Sequence, residues 1–146
     1  MKYSEKISNQ LNNLLTKTYD AEKGYKTAAE KVETPSVKKF LNDKFRQRAT
    51  FAQEIKKEIM EYGQLPDEGG SIAGDVHRGW IQLKAALSSN EAEKILEEVE
   101  RGEKRSLDAY DEILNDTDIT LPPSTEQMLT QQRNAIQAAL NTSKMY

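Results

Sequence analysis

The 146-residue chain predicts an all-α fold, a four-helix bundle of two antiparallel hairpins joined by a long crossover that contains a short fifth helix. Three observations carry this expectation. Apolar residues recur in alternating steps of three and four along four long stretches, the spacing of one helix face. The 7 glycines and 4 prolines fall mostly where those stretches stop. Finally, about 27 residues separate the two hairpins, enough to travel the length of a bundle about 42 Å long.

The first seam runs Ile7, Leu11, Leu14, Thr18, Ala21, Tyr25, Ala28 and Val32, predicting a helix over about 3–32. Thr34-Pro35 reads as a cap followed by proline at the first helical position, where no N–H is needed. The second seam, within a helix over about 35–62, is Val37, Leu41, Phe45, Arg48, Ala52, Ile55, Ile59 and Tyr62, ending at Gly63. Arg48 is its one polar interruption. A Gly-rich stretch over 63–75 reads as loop, and a short helix is predicted over 75–88, with Val76, Trp80, Leu83 and Leu87 on one side. Trp80, with those leucines, is expected to anchor this helix on the bundle. Asn90 and Glu93 form a candidate capping box for a helix over about 90–115, whose seam is Leu96, Val99, Glu103, Ser106, Tyr110 and Ile113. Leu121-Pro122-Pro123 and Ser124 open the last helix, about 122–142, with Leu129, Gln132, Ile136 and Ala139 on its seam.

Composition narrows the function classes. The length fits one domain, 1–146. Hydrophobic residues make up 36% and charged residues 31%, so the core must be narrow and the surface heavily charged. A net charge of -3 argues against a dedicated nucleic-acid partner. No stretch approaches the ~18 apolar residues of a membrane span, and the start lacks the apolar run of a signal peptide, so the expected location is the cytoplasm. With 0 Cys there are no disulfides, thiolate nucleophiles or Cys-held metals, and 1 His allows no two-histidine metal motif. No Gly-rich phosphate loop or Ser-His-Asp set is evident. The acids Glu97, Glu98 and Glu100 alternate with Lys94, Arg101, Lys104 and Arg105, as expected of a solvated helix face.

The seams carry a polar layer. Thr18 sits in the first with Glu22 beside it, Arg48 interrupts the second, Glu103 the third and Gln132 the fourth. Counted from the hairpin turns, Glu22 and Arg48 differ by about 3 Å in height, and Glu103 and Gln132 by less than about one turn. Glu22, Arg48, Glu103 and Gln132 therefore point to one site near mid-height. A buried guanidinium must be paired, and Glu22 and Glu103 are the available carboxylates. A layer that fixes register, a residual metal site and a small-molecule pocket are the alternatives that this pattern leaves open. His77, Arg78 and Trp80 form the other conspicuous cluster; for His77 a hydrogen-bonded packing role stands beside proton donor and binding residue.

The stretches LNNLL, DAEKGYKTAAE, GGSIAGDVHRGWIQLKAAL, ERGEKRSLDAY and LPP resemble a bacterial family of ferritin-like four-helix-bundle proteins, defined as a domain of unknown function. The resemblance runs from about Ile7 to Leu140 and is most specific in Ser71, Gly74, His77, Arg78, Gly79 and Trp80, a SxxGxxHRGW signature. It implies the crossover bundle and no established activity. A wider similarity to rubrerythrins and ferritins implies a ligand Glu before Tyr25, where Glu22 fits and Asp20 faces outward by the heptad count. It also implies Glu-x-x-His on the second and last helices, where Phe45 with Arg48 and Leu129 with Gln132 stand. Gly102-Glu103 before Tyr110 matches the third helix. Two candidate ligands of about six are present, so ferroxidase or peroxidase activity is not expected.

The expected function is thus an uncharacterised ferritin-like bundle with a degenerate metal centre and no cofactor, non-catalytic and acting through contact with a protein partner or a second copy of itself. No small-molecule ligand is identified. The alternative is a di-metal carboxylate oxidoreductase or metal-storage protein.

Overall fold

The computed structural model describes residues 2–67 and 92–146. It contains four long α-helices: α1 (Tyr3–Lys31), α2 (Pro35–Glu61), α3 (Ala92–Leu114) and α4 (Pro123–Ser143). All regular secondary structure among the described residues is helical. The predicted helix over 75–88, Asn90 and the signature residues Ser71, Gly74, His77, Arg78, Gly79 and Trp80 lie outside the described residues.

Local chemistry sets the helix ends. At the start of α1 the Glu5 carboxylate accepts the Lys2 backbone N–H at 3.3 Å, satisfying one donor that no helical carbonyl can reach. Proline opens α2, and Thr34 caps it by backbone conformation without a side-chain hydrogen bond. α4 also opens on proline, with Pro122 as the cap, so Ser124 sits one residue inside the helix rather than in front of it. α2 ends in a Schellman motif: Gly63 N–H donates to the Met60 carbonyl at 2.9 Å and Gln64 N–H to that of Ile59 at 3.3 Å. The motif needs a left-handed residue, which Gly63 supplies at φ 75°.

α1 packs on α2 and α3 on α4 as two hairpins, and the hairpins meet along α1–α3 and α2–α4. α2 and α3 accordingly stand at opposite corners. The core has two apolar clusters. One gathers Ile7 and Leu11 from the start of α1, Ile55 and Ile59 from the end of α2, Tyr110 and Ile113 from the end of α3, and Leu129 from α4. The other gathers Ala28 and Val32 from the end of α1 with Val37 and Leu41 of α2 and Ile95 and Val99 of α3, each from the start of its helix. α2 and α3 therefore run in the same direction. Phe40, at the second end, packs against the C-terminal Tyr146, their ring centroids 5.3 Å apart.

Charges along α3 pair with neighbours on the same helix, with Arg101 and Lys104 exposed and Glu98 and Glu100 partly covered. Arg101 pairs with Glu98 at 3.3 Å and Lys104 with Glu100 at 3.2 Å. Such pairs stabilise helices by only about 0.3–0.5 kcal/mol each.

Among the described residues, Gly63 is the glycine with a left-handed backbone, so conformation can be tested there by itself. A Cβ there would meet nothing within 4 Å, so Gly63→Ala tests conformation and not crowding. The substitution is expected to cost about 1–2 kcal/mol, read from a denaturant midpoint, and Gly63→Asn less.

Candidate functional site

The two apolar clusters are separated by polar side chains from all four helices. Arg48, on the α2 seam, is 1% exposed and Glu103, on the α3 seam, is 0% exposed. Because α2 and α3 occupy opposite corners, their side chains meet across the middle of the bundle. The guanidinium and carboxylate pair in a fork: Arg48 Nη1 donates to Glu103 Oε1 at 2.7 Å, and Nη2 donates to Oε2. This bidentate geometry uses both carboxylate oxygens.

Aromatic rings close around the cation. The Arg48 Cζ lies 5.4 Å from the Tyr25 ring centroid and 5.9 Å from that of Phe51, within cation–π range. Burial opposes the charged guanidinium, but the charge and hydrogen bonds of Glu103 outweigh it, so the pKa is raised and Arg48 stays ionised. Burial, reinforced by the Glu103 charge, pushes the fully buried Tyr25 phenol well above its ordinary range. Tyr110 is raised too, by burial first, although Arg48 pulls the other way. Both phenols are therefore neutral, and the formal charges of Arg48 and Glu103 cancel each other.

A second branch extends from Tyr110. Its hydroxyl donates to Gln132 Oε1 at 2.5 Å, and Gln132 Nε2 donates to Glu54 Oε1 at 3.1 Å. Thr18, from α1, lies within hydrogen-bond reach of the Tyr110 phenol and donates its own proton to the Leu14 carbonyl at 2.8 Å. Arg48, Glu103 and Gln132 thus come together at one height. Sequence reasoning missed Tyr25, Tyr110 and Glu54 as members; two tyrosines on seam positions level with Arg48 and Glu103 were the available signal.

Glu22 does not join the site that the sequence predicts for it, and Asp20 departs from the heptad count. Glu22 is half-buried and stands outside the ion pair, because its row flanks the seam and opens towards Lys23 and Lys26. Asp20, read as outward-facing, is 2% exposed. The buried arc of α1 is wider than its seam and takes in Asp20 and Gly24 as well. Among the described residues, no three His, Cys, Asp or Glu side chains are grouped so as to hold a metal ion. No helix among them is long and apolar enough to cross a membrane.

Glu22 gives the layer's edge a pH signature. Partial burial raises its pKa above 4.5, with Lys23 and Lys26 opposing. The native state then holds this proton more tightly than the unfolded chain, so stability falls as pH rises through the window between the two pKa values. Glu22→Gln is expected to be more stable than the parent at neutral pH, by less than about 1 kcal/mol after solvent screening. Denaturant unfolding at several pH values should show that advantage vanishing below the ordinary carboxylate range.

No functionally curated protein gives a significant match to the chain. Residues 6–116 match the family described as domain of unknown function DUF2383, a span that holds Glu22, Arg48 and Glu103 and stops before Gln132. The match covers most of the 146 residues, and the chain belongs to that family.

Proposed function

We propose that this chain is a ferritin-like bundle whose metal centre has degenerated into a structural ion-pair layer. On this reading it acts without catalysis in the cytoplasm, through contact with another protein or a second copy of itself. The supporting observation is the Arg48–Glu103 fork. A di-metal carboxylate centre needs about four carboxylates and usually two His, projecting into the middle of the bundle. Here a permanent cation holds that middle, and both oxygens of Glu103 are turned to it. The residues present do not fit a di-metal centre, and no catalytic step is drawn through one.

The ferritin-like connectivity is part of the same proposal. α2 ends beside the first half of α1, where the Leu65 carbonyl accepts from Asn12 Nδ2 at 3.2 Å and Asp67 N–H donates to Asn12 Oδ1 at 2.8 Å. α3 begins at the opposite end, among Val32 and Val37. A connection between those points is a crossover, and the Val76, Trp80, Leu83 and Leu87 spacing makes 75–88 its proposed short helix. Trp80→Ala is then expected to lower the unfolding midpoint sharply, since truncating a large buried aromatic costs about 3–5 kcal/mol.

A partner-contact role is supported by apolar side chains left exposed where α1 begins and α2 finishes: Tyr3, Met60 and Leu65. Sedimentation over a wide concentration range tests self-association. A single mass of 16.6 kDa throughout would count against it and leave a different protein as the partner.

Two measurements test the layer itself. Arg48→Met alone leaves Glu103 buried without its counter-charge and is expected to cost about 3–5 kcal/mol, whereas Arg48→Met with Glu103→Leu should recover much of that loss. A harmless single substitution would end the structural reading. Elemental analysis of chelator-free protein is expected to find no stoichiometric iron or manganese. Finding about two ions per chain, the complement of a di-metal carboxylate site, would favour the oxidoreductase or storage alternative.

A further inference from the structure

A guanidinium carries five N–H donors. Glu103 takes two of those on Arg48, one from each terminal nitrogen. The Nε–H is also buried and has no acceptor at hydrogen-bond geometry, although the Tyr25 phenol interacts with the same guanidinium. A buried donor in that position is rare and demands an acceptor.

The oxygens of Thr18 and Tyr110 present the complementary shortage. Thr18 gives its proton to the Leu14 carbonyl, and Tyr110 gives its proton to Gln132 Oε1. Both oxygens then offer only lone pairs, although they lie within reach of one another. A small cleft is walled by these same groups, Thr18, Arg48 and Tyr110, together with Lys17, Ser106 and apolar side chains. A water molecule's centre has about 10 Å³ to occupy there, the lower limit for holding one water.

The cleft can fill from solvent. It shares Leu14, Lys17 and Ala109 with a groove of about 220 Å³ between α1 and α3, whose rim includes the polar Gln10, Asn13 and Glu112.

We propose that this cleft is a hydration site for one ordered water, which accepts from Arg48 Nε–H and donates to Thr18 Oγ1 and Tyr110 Oη. Three hydrogen bonds are the usual complement of a buried water. The water joins the Arg48–Glu103 fork to the Tyr110–Gln132–Glu54 branch, so that side chains of α1, α2, α3 and α4 form one network. Its ligand class is a neutral, water-sized molecule with one acceptor lone pair and two donors; an anion would lack the protons that Thr18 and Tyr110 require.

A crystal structure of the full chain at about 1.5 Å, where ordered waters are distinct, tests the site directly. The expected result is a peak within hydrogen-bond distance of Arg48 Nε and of Thr18 Oγ1 or Tyr110 Oη. An empty cleft, or a protein group on Nε, overturns the proposal. In solution, the Arg48 Hε resonance should show cross-relaxation with a long-lived water. Thr18→Val keeps the shape, removes one acceptor and is expected to abolish that cross-peak in a protein that still gives a dispersed spectrum. A cross-peak unchanged by Thr18→Val would mean that Thr18 does not hold the water, against the site as drawn. Should the variant fail to fold, the parent crystal decides alone.

Discussion

Everything at the centre of this bundle follows from one requirement: a guanidinium removed from water must meet a carboxylate in the right plane. Apolar contacts are non-directional and tolerate sliding by a heptad, whereas a two-pronged fork holds at one height and one rotation only. Arg48 and Glu103 sit on helices at opposite corners, so their pairing levels the two hairpins against each other. The apolar clusters at either end then fall into place as consequences. Net stabilisation by such a pair is small, because desolvation consumes most of the attraction. On the structural reading proposed above, its value lies in rejecting the other registers that the seams would accept.

The tyrosines complete this arrangement without adding charge. The Tyr25 ring face meets the cation, and the hydroxyls of Tyr25 and Tyr110 stay protonated, held so mainly by burial. The result is a buried ion pair whose own charges cancel, flanked by neutral phenols.

Much of this was legible in the residues. The seams announced four long helices, and their interruptions at Arg48, Glu103 and Gln132 marked positions that all prove to be buried. Heptad counting failed where a single stripe is too narrow a description. Asp20 is enclosed because the buried arc of α1 reaches beyond its seam, and Glu22 is half open because a flanking row borders solvent. Which carboxylate pairs with Arg48 was not legible either. That depends on which helices face across the bundle, a long-range fact that periodicity along one helix does not contain. Tyr25 and Tyr110 read as ordinary seam residues, since a pattern of apolarity does not distinguish a phenol from a phenylalanine.

The unequal packing of the helix pairs has a kinetic consequence. α1 and α2 share an extensive interface, and so to a lesser degree do α3 and α4, while the contacts between hairpins are sparse. Each hairpin is built from contacts near in sequence, which form quickly, whereas Arg48 must find a partner 55 residues away. Hairpins with such interfaces are natural cooperative units, and among the described residues the backbones approach least closely between them. Partial openings along the plane between the hairpins would leave both of them helical, and with the ion pair as the clasp there, amide exchange through them would report on the fork rather than on the helices.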